Sequence, residues 1–246
     1  MTLLSLSQVS KRFANGTHAL GDLSFDIETG EFVSLLGPSG CGKSTALRLA
    51  AGLLEPDAGT IAYPEGKPEI GFVFQDATLM PWADALTNAR LPLDLKRMPR
   101  SQANARAGEA LARVGLAGFE HALPRELSGG MKMRVSLARA LCSFTAPKQP
   151  KLLLLDEPFA ALDEITRNEL GDDLLQLWRE GEALTILFVT HSVSESSYLS
   201  GRVLVMTPRP GSIAADIVLT QARPDRLSPA TIDAQRGISA ALKGAA

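Results

Sequence analysis

Long hydrophobic runs are missing from this sequence. Apolar runs such as 152–155 and 186–189 are only four residues long, whereas a membrane-spanning helix needs about 20 apolar residues. The amino terminus, 1–6, also lacks the basic stretch and long apolar run that define a signal peptide. We therefore expect a protein that is soluble on its own, so that any membrane role would come through partners.

Cysteine and excess positive charge are also scarce. The two cysteines, Cys41 and Cys142, cannot form a disulfide framework, so a reducing compartment is expected. The formal net charge of −2, with no run of five Lys or Arg residues, argues against sequence-independent binding to nucleic acid. With 246 residues, 45% of them hydrophobic, the chain suits one large α/β domain or one domain with an insertion.

The order of predicted elements favours an α/β fold. Short strands at 3–9, 19–27 and 32–36 are separated by the turn signals Asn15-Gly16 and Thr29-Gly30. After residue 151, strands and helices alternate, which is typical of a parallel sheet covered on both faces. Between these regions the pattern is helical and rich in Ala, Arg and Leu.

These patterns divide the chain into a core and an insertion. The predicted core comprises 1–81 and 151–220, the helical insertion 82–141, and the tail 221–246, all within a single domain. In the tail, Ser228-Pro229 could cap a short closing helix, or the tail could be a partly ordered end.

One nine-residue segment fits the phosphate-binding pattern G-x-x-x-x-G-K-[ST]. It follows the strand 32–36 and precedes a helix predicted by the apolar spacing from Leu47 to Leu54. Glycines allow the backbone to curve around phosphate oxygens, Lys43 supplies a charge to the β- and γ-phosphates, and Ser44 can bind Mg²⁺. The segment is Gly37-Pro38-Ser39-Gly40-Cys41-Gly42-Lys43-Ser44-Thr45.

Two adjacent carboxylates, Asp156 and Glu157, end the apolar run 152–155. Ligand sites in parallel sheets lie at the carboxyl ends of buried strands. Asp156 would therefore hold Mg²⁺ through its water shell, and Glu157 would polarise the attacking water for phosphoryl transfer. The alternative is a solvated acidic turn after a core strand.

A second anion-binding helix end is predicted at the signature segment, Leu127-Ser128-Gly129-Gly130-Met131. Ser128 can cap the helix that follows, and the two glycines leave its first N–H groups uncovered. Taken alone, the segment would be an ordinary helix start.

Together, in this order and spacing, the three motifs resemble those of ATP-binding cassette (ABC) ATPases, and the resemblance covers the whole chain. It implies an ATP hydrolase with ATP and Mg²⁺ as cofactors. It also implies an α/β P-loop NTPase fold with a mainly parallel core sheet, an N-terminal antiparallel β subdomain and an inserted α-helical subdomain.

The resemblance assigns further residues by position. Phe13 would stack on adenine, Gln75 would link Mg²⁺ and water to the helical insertion, and His191 would contact the γ-phosphate. Asp163, in Ala161-Leu162-Asp163, would communicate across a dimer. The alternatives are a core aromatic for Phe13, a polar turn for Gln75, a capped helix start for Asp163 and a strand-end histidine for His191. Met131 departs from the family's usual glutamine.

Partners also follow from the resemblance. Each ATP would lie between the phosphate loop of one chain and the signature helix of a second, related or identical chain. Two transmembrane permease subunits, and indirectly a solute-binding protein, would complete a transporter at the inner face of the cell membrane. Residues 79–82, especially Trp82, are predicted to dock a permease, unless Trp82 is a core residue.

The importer branch for nitrate, sulfonates, taurine and some pyrimidine or thiamine precursors is the nearest resemblance. It rests on four segments, which are 79–82, 129–131, 156–167 and 207–211. An exporter or release ATPase, and an ABC protein that acts on nucleic acid, remain alternatives. The stretch 142–151 is longer than the family pattern and is predicted to be a surface loop.

Overall fold

The computed structural model describes residues 1–180, 183–219 and 225–245. They form two compact units, Met1–Pro68 with Ala183–Ala246, and Glu69–Glu182. In chain order the elements are β1 (Thr2–Arg12), β2 (His18–Glu28), β3 (Phe32–Leu36), α1 (Lys43–Ala50), β4 (Ala58–Ala62), β5 (Glu69–Val73), α2 (Ala85–Leu95), α3 (Arg100–Arg113), α4 (Gly129–Leu141), β6 (Lys151–Asp156), α5 (Glu164–Glu180), β7 (Leu184–Thr190), α6 (Val193–Leu199), β8 (Arg202–Met206), β9 (Ile213–Val218) and α7 (Pro229–Gly244).

The first unit contains an antiparallel sheet and a mainly parallel set of strands. Strands β2, β1 and β4 form the antiparallel sheet in that order. Strand β3 pairs in parallel with β7 and β8, and β9 adds an antiparallel edge to β8. Every residue of β3 and β7 is buried, because strands of a parallel sheet are covered on both faces. The predicted fold class is confirmed.

The second unit joins a parallel strand pair to helices. Strands β5 and β6 pair in parallel, and α2, α3 and α4 fall within the predicted helical stretch 82–141. Helix α3 buries Ala103, Ala107, Ala110 and Leu111, a spacing of three and four residues that places them on one face.

Helix α1 is shorter than predicted. It ends at Ala50, whereas the apolar spacing extended the helix to Leu54. Gly52 has a φ of +72°, a left-handed conformation that is common after a helix end and that glycine adopts without steric cost. The backbone therefore leaves the helix before Leu54.

The predicted closing helix is present as α7. Ser228 caps it, since the Ser228 Oγ accepts a hydrogen bond from the Thr231 backbone N–H at 3.3 Å. Ile238 on this helix is fully buried in a cluster with Leu36, Val203 and Val205. The parts of the predicted core and tail at 220–224, and residue 246, lie outside the described residues.

The long connection 142–150 is fixed to β5 and to the end of α2. The Glu69 carboxylate accepts hydrogen bonds from the backbone N–H groups of Thr145 (2.6 Å) and Ala146 (2.9 Å). Lys96 donates to Glu69, to the Ser143 carbonyl and to the Thr145 hydroxyl at 2.7–2.8 Å. Residues 147–149 at its tip are exposed, as expected for a surface loop.

Candidate functional site

The phosphate-binding segment forms a loop between β3 and α1 that closes around its own lysine. The Lys43 ammonium donates hydrogen bonds to the carbonyl oxygens of Gly37 (2.8 Å) and Pro38 (3.0 Å). Only 4% of Lys43 is exposed. Its charge is therefore held inside the curve of the loop.

The amino-terminal end of α1 suits an anion. Among the described residues, no side chain caps this end and no acidic residue lies in the first turn, so the positive end of the helix dipole is not neutralised locally. Gly42 at the N-cap has a φ of +109°, and a Cβ there would lie 2.7 Å from the Ala19 carbonyl oxygen. Cys41 is 1% exposed, so the loop presents its backbone and not its thiol.

His191 lies beside the start of the phosphate loop. In the parallel register of β3 and β7, Leu36 pairs with Thr190, so the next residues, Gly37 and His191, emerge side by side at the carboxyl ends of the strands. His191 is exposed. A cavity of about 170 Å³ has the lining residues Gly37, Pro38, His191, Met206, Pro208, Leu242 and Ala245.

The second unit places Gln75 near the acid pair by the same geometry. Val73 at the end of β5 pairs with Leu155 of β6. Gln75 and Glu157 each come two residues after this pair, so both follow the carboxyl ends of neighbouring strands. Asp156 is 4% exposed, whereas Gln75 is exposed.

Glu157 adopts an unfavourable backbone conformation. Its φ is +46°, in the left-handed region that costs a residue with a side chain about 1–2 kcal/mol. Backbone outliers of this kind concentrate at functional sites, so the conformation supports a role for Glu157 beyond that of a solvated turn.

The signature segment and Asp163 are brought together within the second unit. The Ser128 Oγ accepts a hydrogen bond from the Met131 N–H (3.2 Å) and caps α4, and Asp163 accepts one from the Thr166 N–H (3.0 Å) and caps α5. A Cβ on Gly130 would lie 2.5 Å from the Thr166 Cγ2 atom. Hydrogen bonds from Thr166 hold the pKa of Asp163 below its usual value. Ser128 and Asp163 thus each cap the helix that follows them. No acidic side chain of the described residues lies in the first turn of α4.

Phe13 lies in the turn between β1 and β2. The Phe13 N–H donates to the Thr17 carbonyl, and the Gly16 N–H donates to the Phe13 carbonyl, both at 2.9 Å. Its side chain is half-buried and does not belong to the buried core.

The segment 77–84, here called the docking segment, is held at both ends by side chains that the sequence analysis did not single out. Arg139 on α4 donates to the carbonyls of Ala77 and Thr78 at 2.9 Å and to the Thr78 hydroxyl at 3.0 Å. Asn88, fully buried, accepts a hydrogen bond from the Met80 N–H (2.7 Å) and donates to the Ala83 carbonyl (2.9 Å).

Trp82 projects from the middle of the docking segment. It is 78% exposed, so the alternative of a core tryptophan is wrong.

None of the helices in the described parts of the chain has both the length and the apolar character that a bilayer span requires.

Comparison with known proteins identifies relatives along nearly the whole chain. Residues 20–160 match the family described as ABC transporter. The chain is 47% identical to the aliphatic sulfonates import ATP-binding protein SsuB 1 of Pseudomonas savastanoi pv. phaseolicola, over 93% of this chain and 91% of that protein. It is 44% identical to the taurine import ATP-binding protein TauB of Yersinia pestis bv. Antiqua, over 83% and 80%.

A solved structure has the same architecture. The dimeric post-hydrolysis state of the ATP-binding cassette MJ0796, bound to ADP and Pi, aligns with a TM-score of 0.76 and 31% identity, covering 89% of this chain and all of that one.

Proposed function

The chain belongs to the ABC transporter family as an ATP-binding and ATP-hydrolysing subunit, and we propose from this premise that it drives import of a small solute through separate membrane subunits. The sulfonate and taurine import relatives support an anionic solute. A pyrimidine-like solute is the alternative, because the importer branch that the sequence resembles also includes pyrimidine transporters. Net charge of −2 disfavours an ABC protein that acts on nucleic acid. An exporter differs mainly in its membrane subunits.

The single observation that carries the site assignment is the loop that closes around Lys43 at an acid-free helix end. Its N–H groups and the Lys43 ammonium would bind the ATP phosphates. Phe13, half-buried in its turn, would stack on the adenine ring.

Three residues would hold Mg²⁺, and two would act on the attacking water and the γ-phosphate. Mg²⁺ is usually held by one or two protein oxygens together with substrate phosphates, and Ser44, Asp156 and Gln75 offer a hydroxyl, a carboxylate and an amide oxygen. Bound Mg²⁺ would supply charge neutralisation to the phosphates. Glu157 would orient the attacking water and accept its proton, and His191 would donate a hydrogen bond to the γ-phosphate.

Two copies of the chain would share each ATP. The first turn of α4 behind Ser128, including Gly129 and Gly130, would bind an anion at its positive end and so complete the phosphate site of the partner chain, with Asp163 beside it. The dimeric cassette structures among the relatives support this arrangement.

The exposed Trp82 would anchor a membrane subunit. A tryptophan that is 78% exposed on a braced segment is a typical interface hot spot. The chain would then lie as a peripheral subunit on the inner face of the membrane, with two permease subunits and, outside, a solute-binding protein. In this proposal the chain works as a single ABC ATPase domain.

Lys43→Ala tests the nucleotide site. Removing the buried ammonium should weaken ATP binding at least tenfold, because hydrogen bonds to charged groups contribute about 1.5–3 kcal/mol each. Equilibrium dialysis with labelled ATP measures this, with Lys148→Ala in the exposed loop 142–150 as the matched control. ATP affinity within about threefold of wild type, a difference of less than 1 kcal/mol, would contradict the assignment.

Uptake of labelled solutes tests the transport role. Cells that lack this chain should lose import of one sulfonate-like or related solute, and wild-type protein, but not the Lys43→Ala variant, should restore it. Accumulation of a solute in the cells without the chain would instead identify an exporter.

A further inference from the structure

The segment 207–211 lies between β8 and β9. Pro208 lines the cavity beside Gly37 and His191, but Arg209 has no role in the site described so far. In the structure it lies against the phosphate loop. The Arg209 guanidinium donates two hydrogen bonds, from Nε at 2.9 Å and from Nη2 at 2.7 Å, to the carbonyl oxygen of Gly40. One peptide of the phosphate loop is therefore held by a cation from a distant part of the sequence.

The connection that carries Arg209 is itself braced. The Gly211 N–H donates to the Ala19 carbonyl (3.0 Å), and the Gly21 N–H donates to the Gly211 carbonyl (3.1 Å). A Cβ on Gly211 would lie 2.1 Å from the Cys41 carbonyl oxygen, so only glycine allows this close approach. The Thr207 N–H bonds the Ser212 carbonyl at 2.9 Å and closes the turn. Arg209 thus projects from a fixed backbone.

The geometry of the peptide bond links Arg209 to the inside of the loop. A trans peptide is planar, so the Gly40 carbonyl and the Cys41 N–H of the same peptide point in opposite directions. Arg209 donates to the carbonyl, while the Cys41 N–H donates a hydrogen bond to the Pro38 carbonyl across the loop at 3.3 Å. The peptide between Gly40 and Cys41 is therefore held on both sides, by Arg209 from outside the loop and by the Pro38 carbonyl within it.

Charge-assisted hydrogen bonds to a carbonyl polarise its peptide and strengthen the N–H on the other side. We propose that Arg209 is a positioning residue for the phosphate loop, which fixes and polarises the peptide between Gly40 and Cys41 and so holds the loop in the curve that binds nucleotide phosphates. This inference rests on the proposed nucleotide site and adds a residue to it.

Arg209→Met is the test, because methionine keeps much of the side chain's length and removes its donors. Binding of pyrophosphate and of Mg-ATP should weaken about tenfold, because a loop that Arg209 no longer holds has to be ordered when the phosphate binds. KM for ATP should rise while kcat at saturation stays within about twofold, as expected for loss of ground-state binding. Arg209→Lys, with a single donor nitrogen, should bind with intermediate affinity.

Two controls separate positioning from stability. Arg236→Met changes an exposed arginine on α7 and should bind like wild type. The thermal midpoint of nucleotide-free Arg209→Met should lie within about 2 °C of wild type. Pyrophosphate affinity within twofold of wild type, or a fall in thermal midpoint large enough to account for the weaker binding, would overturn the inference.

Lys43→Ala measured in parallel distinguishes the two proposals. If Lys43→Ala loses pyrophosphate binding and Arg209→Met does not, only the role of Arg209 is wrong. If both variants bind normally, the loop is not the nucleotide site and both proposals fail.

Discussion

Replacing Arg139 by methionine should release the docking segment from helix α4. The guanidinium makes three hydrogen bonds of 2.9–3.0 Å to residues 77 and 78 and one of 3.2 Å to Ser136 on its own helix. Burial lowers the pKa of Arg139, so this cation is partly desolvated and depends on these acceptors.

The expected cost follows from these contacts. Three hydrogen bonds to residues 77 and 78, partly accessible to water, contribute about 1 kcal/mol each. Thr78 has a φ of +46°, and relaxing this conformation once Arg139 is gone would return about 1 kcal/mol. The net loss is about 2 kcal/mol, or roughly a 30-fold change in the unfolding equilibrium.

Urea unfolding followed by circular dichroism measures this loss, and native-state hydrogen exchange shows where it occurs. Amides of residues 79–83 should exchange faster in Arg139→Met, whereas those in α3 should not. Arg113→Met, an exposed arginine on α3, is the matched control. A loss of stability below about 0.5 kcal/mol, the usual range for surface substitutions, with unchanged exchange in the docking segment, would refute the reasoning.

Two further predictions concern the same unit. Trp82→Ala should leave the folding and ATPase activity of the isolated chain unchanged, because the side chain is 78% exposed, but should reduce solute uptake; an unfolded variant or normal uptake would contradict this. At Glu69, burial opposes ionisation, but hydrogen bonds from Lys96, Ala146 and Thr145 outweigh it and hold the pKa below the ordinary 4.5. Its ionised form therefore stabilises the fold above that pH, so the stability difference from Glu69→Gln should be constant from about pH 7 to 5 and shrink below about pH 4 in urea titrations. A difference that grows on acidification would contradict the shift.

Motifs with a fixed spacing could be located from the sequence because each combines a local conformation with its chemistry. The phosphate loop needs glycines and a lysine between a strand and a helix, and the structure places it between β3 and α1. The apolar run before Asp156 predicts β6, because a parallel strand that is buried on both faces is apolar along its length. The apolar spacing continues to Leu54 and so predicts too long a helix α1, because the backbone at Gly52 is already left-handed.

Long-range contacts were beyond the sequence. Arg139 looks like any arginine on an amphipathic helix, and its contacts to residues 77 and 78 depend on packing across 61 residues of chain. Asn88 gives no pattern that distinguishes it from an exposed polar residue, yet it is fully buried. The segment 207–211 carries only a resemblance in the sequence, which does not predict its contacts, because the hydrogen bonds of Arg209 to Gly40 span 169 residues.

The central claim is that ATP joins two copies of this chain and that Glu157 directs its hydrolysis. Sedimentation velocity of Glu157→Gln with and without ATP, combined with a phosphate-release assay, tests it most directly, with Glu55→Gln, an exposed glutamate, as the control. We expect a stable dimer only when ATP is present and turnover reduced about 10²-fold or more, the usual contribution of a general base. A variant that stays monomeric at saturating ATP, or that hydrolyses ATP at a near-normal rate, would contradict the account.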